Sequence, residues 1–120
     1  MAKRTGPTNE HLRNLIQDLK VLGNKEKSKL WDRIAFDLER PKRIRRKVNI
    51  FNINRHSKEN EIVIVPGKVL ATGDLDKNVK VAAFEFSREA ENKINEKGKA
   101  MTIPELMREN PKGSKVRIIG

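Results

Sequence analysis

Six of the eight residues from Arg40 to Lys47, in the order Arg-Pro-Lys-Arg-Ile-Arg-Arg-Lys, are basic. This is the densest concentration of chemically assertive side chains in the sequence, and the chemistry it suits is the neutralisation of phosphate. An arginine fork takes two phosphate oxygens at once and also stacks on a base, whereas lysine acts as a mobile point charge. Arg43, Arg45 and Arg46 are therefore the leading candidates, with Arg40, Lys42 and Lys47 beside them. A solvated loop or a targeting signal has a similar composition. The position of the run between two structured parts, with Lys3, Arg4, Asn49, Arg55 and Lys68 as further candidate contacts, favours a nucleic acid.

Other chemistries find little support. His11 falls off the apolar stripe of its helix and His56 lies in a basic stretch, neither with acids at metal-ligand spacing. Cysteine is absent, which removes disulfides, thiolate chemistry and the common zinc frameworks. No catalytic residue, metal site or cofactor is assigned, and no small-molecule substrate is expected. Pro66-Gly67-Lys68 lacks the upstream glycine and following Ser or Thr of a phosphate loop, so it supports at most a tight turn presenting Lys68 to a phosphate. Phe51, next to the basic run, is the one reasonable candidate for base stacking. Trp31, Phe84 and Phe86 read as core.

Lysine and arginine number 27 against 16 acidic residues, a net charge of +11 in 120 residues. Residues 1–58 carry 16 basic and 6 acidic groups, and residues 59–120 carry 11 and 10, so the excess charge belongs to the first half. A polyanion is the expected partner. No apolar run approaches the roughly 20 residues of a membrane span, and the start Met1-Ala2-Lys3-Arg4 lacks the apolar stretch of a signal peptide. A soluble, cytoplasmic chain with no membrane partner is expected. With 36% apolar residues and a mean hydropathy of -0.73, it should form one domain with a modest core. Residues 1–58 would be its basic helical and extended part, and residues 59–120 its compact α/β part.

The elements that must hold the basic run are readable in part. Leu12, Leu15, Ile16, Leu19 and Leu22 recur at spacings of three and four, predicting a helix from about Thr8 to a stop at Gly23-Asn24. A second helix is expected from Ser28 to Arg40, ended by Pro41, and the two should form an αα-hairpin. The basic run should stay extended or irregular until a polyanion neutralises it. Val48 to Asn54 suits either a short strand or a helical turn. Glu61 to Val65 reads as a buried strand bounded by Pro66-Gly67, with Lys68 to Ala71 as a separate extended piece. Val79 to Phe86 has strand composition. Ser87 should cap a helix that stops near Lys97-Gly98, and Thr102-Ile103-Pro104-Glu105 has capping-box spacing for a short helix ended by Asn110-Pro111. Val116 to Ile119 is a plausible last strand.

Taken in order, these stretches resemble the archaeal and eukaryotic large-subunit ribosomal protein family L-eighteen-e, a relative of bacterial L-fifteen. The resemblance runs end to end. It is carried by Leu38-Glu39-Arg40-Pro41-Lys42-Arg43-Ile44-Arg45-Arg46-Lys47-Val48-Asn49-Ile50, by Val63-Ile64-Val65-Pro66-Gly67-Lys68-Val69-Leu70 and Val81-Ala82-Ala83-Phe84, and by Asn110-Pro111-Lys112-Gly113 leading to Val116-Arg117-Ile118-Ile119-Gly120. It implies a mixed α/β fold, with an irregular β-β-α superhelical core behind the N-terminal helical hairpin and the basic extended segment. It also implies a structural, non-enzymatic role holding large-subunit ribosomal RNA beside neighbouring ribosomal proteins. Ala71 departs from the family's pattern, which has Gly-x-Gly after Val-Leu, and it should either reshape that loop or remove a close RNA approach, leaving the basic segment intact. A free-standing nucleic-acid regulator reading through the helical hairpin is the competing expectation, and an adaptor for membrane surfaces or acidic proteins is a third.

Overall fold

The structure, a computed structural model, describes residues 10–40 and 47–119. Helix α1 spans Glu10–Glu26 and α2 spans Lys29–Glu39. The stripe Leu12, Leu15, Ile16 and Leu19 is buried, as are Trp31, Ile34, Ala35 and Leu38 facing it from α2. The hairpin is as expected, but α1 overruns its predicted stop by three residues. Gly23 lies inside the helix, so close to α2 that an added Cβ would collide with the Asp32 carboxylate. Its small size serves the approach of two helices, which offsets the roughly 1 kcal/mol a helical glycine costs. The reversal falls to Lys27, at φ 54°. Arg40, preceding a proline, is extended (φ -69°, ψ 152°) and closes α2.

The stretch with two possible readings adopts both. Strand β1 takes Lys47–Asn49, and helix α3 follows at once over Ile50–His56. Strand β2 spans Ile62–Leu70 and β3 spans Lys80–Phe86. Helix α4 runs from Arg88 to Lys97, capped by the Ser87 hydroxyl, which accepts the Ala90 N–H at 3.1 Å. Strand β4, Lys99–Thr102, was not anticipated, because four residues are too few to show an alternation. The capping box is present at α5, Ile103–Glu109: Thr102 accepts the Glu105 N–H at 3.2 Å, and the Glu105 carboxylate accepts the Thr102 N–H at 2.9 Å. The last strand, β5, is Val116–Ile118.

All the strand pairs are parallel. The order is β1-β2-β3-β4, and β5 also pairs with β2. Pro66-Gly67 does not bound β2 as expected. Its register against β3 shifts there, from Val65↔Ala83 to Lys68↔Glu85, which places one extra residue in β2. At such a bulge the ladder lapses, so a proline without an N–H is tolerated. The same point divides one edge of β2 between two neighbours, β5 against Ile62–Ile64 and β1 against Lys68–Leu70. The expected strand and the expected extended piece are thus two halves of one element.

A parallel sheet needs cover on both faces. One face packs Ile64, Ala82 and Met101 under α1, α2 and α5, and the other packs Val63, Val65, Val69, Val81 and Ala83 under α3 and α4. The architecture is the expected mixed α/β class. Trp31 is fully buried, while Phe84 and Phe86 are half-buried, one against each core.

Candidate nucleic-acid interface

Lys47 opens β1 and Lys68 lies on β2 just past the bulge, and the parallel register makes them direct neighbours. Adjacent strands run about 4.8 Å apart, so residues 21 positions apart in sequence root two lysine side chains next to each other. Two such charges repel by on the order of 1 kcal/mol at 4 Å in water. Among the described residues neither lysine forms an ion pair, although Glu85 is the register neighbour of Lys68 on the other side. Lys68 does not sit on a tight turn, as its Pro-Gly prefix suggested, because β1 and β3 flank the bulge and carry the strand through it.

Three of the other predicted residues lie in or beside α2, β1 and α3. Arg40 is exposed at the C-terminal end of α2, and the run from residue 41 to residue 46 leads from it to Lys47. Asn49 is half-buried at the N-cap position of α3 and makes no side-chain cap. Arg55 is exposed in the last turn of α3. Lys3, Arg4, Lys42, Arg43, Arg45 and Arg46 lie outside the described residues.

Several basic groups that the pattern never distinguished hold the protein together instead. Lys77 donates to the carbonyls of Asn54 and Ser57, both at 2.6 Å, and Lys93 donates to those of Ala71 and Gly73, both at 2.9 Å. Ala71, the departure from the family pattern, thus contributes its carbonyl to an anchored loop. Arg117 grips Glu61 with two bonds, at 2.9 and 3.0 Å. That side-chain bonding, with the Lys58 N–H, holds the Glu61 carboxyl below its ordinary range and raises Arg117. Nothing local in the sequence distinguishes these cations from Lys47 or Lys68, since their partners lie some 20 or more positions away.

Among the described residues no group of His, Asp and Glu side chains is arranged to hold a metal ion, and no helix is long and apolar enough to cross a membrane. The fold and the charge together define a basic α/β protein in which Lys47 and Lys68 stand side by side on β1 and β2. Residues 28–102 match the family of ribosomal proteins described as 50S-L15 and 50S-L18e together with their 60S counterpart. Relatives each named "Large ribosomal subunit protein eL18" include one from Methanoregula boonei, 46% identical over 99% of both chains. Another, from Haloarcula marismortui, is 44% identical over 93% of this chain and 97% of its own, and one from Methanothermobacter thermautotrophicus is 42% identical over 99% of both. The chain belongs to this family of ribosomal proteins.

Proposed function

We infer that this protein is a structural constituent of the large ribosomal subunit, in the cytoplasm, which binds folded ribosomal RNA by neutralising its phosphates and lies beside other ribosomal proteins. The relatives' names support the structural role. The observation that most favours RNA as the ligand is the Lys47–Lys68 register pair, which extends the basic run onto the end of a rigid sheet without an ion-pair partner among the described residues. Residues 1–58 supply the RNA-facing part in this reading, while residues 59–120 position it. Like charges held side by side are unfavourable for the isolated protein and favourable once a polyanion lies across them.

If about six cations each neutralise one phosphate, log affinity falls against log salt with a slope of about -4 to -5. Replacing Arg43, Arg45 and Arg46 together with Ala should flatten that slope by about two to three units and weaken binding to purified large-subunit RNA. Unchanged affinity and slope would count against the assignment. Sucrose-gradient fractionation tests the structural role: the protein should stay with large subunits through a moderate salt wash. Loss into the free fraction would indicate a regulator instead.

A further inference from the structure

Phe51 is 54% exposed, yet its backbone is held on every side. Its N–H donates to the Thr72 carbonyl at 3.0 Å. Gly73, at φ +103°, lies so close that an added Cβ would stand 2.6 to 2.8 Å from the Phe51 N, Cβ and Cα atoms. The rest of α3 is pinned from the same loop. Asn54 Oδ1 accepts the Asp76 N–H at 3.1 Å, and Lys77 bonds the carbonyls of Asn54 and Ser57. Inside the helix, Ile50 and Ile53 are fully buried. A phenyl ring left in water forgoes burial, and this one is mounted facing outward on a rigid base.

What surrounds the ring indicates what would cover it. Arg55, one turn along the same side of α3, is exposed and has no ion-pair partner among the described residues. Helix α3 contains no acidic residue, and Asp74, next to Gly73, faces Lys93 at 3.9 Å. The ring stands alone, with an arginine and amides on its own helix. It suits a nucleobase, which offers a π-face to the ring and a phosphate to each neighbouring cation.

We propose that Phe51 and Arg55 form a stacking platform for one unpaired RNA base. This rests on the RNA-binding reading above and adds what that reading lacks, recognition of an unpaired base. The test measures binding of the full chain to purified large-subunit RNA, and to a perfect RNA duplex, across a salt series. Phe51→Ala should weaken binding to the subunit RNA by about 5- to 150-fold, with the salt slope, the melting temperature and the affinity for the duplex unchanged. Phe51→Leu should lose nearly as much, and Phe51→Trp should bind like the wild type, its new indole becoming shielded from acrylamide when RNA is added. Wild-type affinity in either the Ala or the Leu variant, with the steep salt slope intact, overturns the platform alone. A wild-type chain indifferent to the RNA at low salt removes the broader RNA-binding reading as well.

Discussion

At Glu61 a single carboxylate accepts both bonds of the Arg117 guanidinium and the Lys58 N–H, the last at 2.7 Å. It thereby ties β5 to the start of β2. Because its pKa is lowered in the folded state, the stability it contributes is present above its ordinary value of 4.5 and is lost as pH falls through the lowered one. Glu105, held down chiefly by the Thr102 N–H, acts with the same sign. Thermal melting of the wild type should therefore fall steadily as the pH is taken below about 4.5. Glu61→Gln should melt below the wild type near neutrality, and the gap should close in acid. A gap that persists unchanged in acid would mean that the ion pair is not its cause. The Thr102–Glu105 pair was legible as a capping box, but the Glu61–Arg117 pair was not visible locally, since its members stand at opposite ends of the second half of the chain.

Among the elements, the terminators and caps were the most legible in advance. Ser87, Thr102 with Glu105, and Gly98 occupy the roles their types and spacings announced, because a cap is settled by atoms three or four residues away. Gly98 also serves the sheet. An added Cβ would collide with the Val79 carbonyl, which accepts the Lys99 N–H where β4 begins. Gly98→Ala should cost about 1 to 3 kcal/mol and speed hydrogen exchange in β4. A loss of only a few tenths would show that the backbone gives way freely. Gly23 illustrates the opposite case: a glycine that reads locally as a stop is kept inside α1 by the proximity of α2.

For the molecule as a whole, like charges set side by side cost the free protein stability. Lys47→Ala combined with Lys68→Ala should leave the melting temperature unchanged or raised, since repulsion between adjacent strands is removed. The same variant should bind large-subunit RNA less tightly and lose about 1.4 to 1.8 units of salt slope, as two lost phosphate contacts require. A melting point that falls while the slope stays put would make the pair structural. The partition of charge between residues 1–58 and residues 59–120 was plain from composition, because net charge adds up whatever the fold. The pairing of Lys47 with Lys68 was not, because register joins residues 21 positions apart and depends on the bulge at Pro66-Gly67.

From its residues alone this chain determined two amphipathic helices, three capped or terminated helix ends, a basic run and a mixed α/β class. Each of these depends on periodicity, on neighbours within one turn, or on a sum over composition. Tertiary structure alone decided that β2 runs through its proline, that Lys99–Thr102 joins the sheet, that Lys77 and Lys93 serve as clamps while Lys47 and Lys68 have no ion pair among the described residues, and that Phe51 is held outward. Each of those depends on groups distant in sequence and brought together only when both faces of a parallel sheet are buried at once.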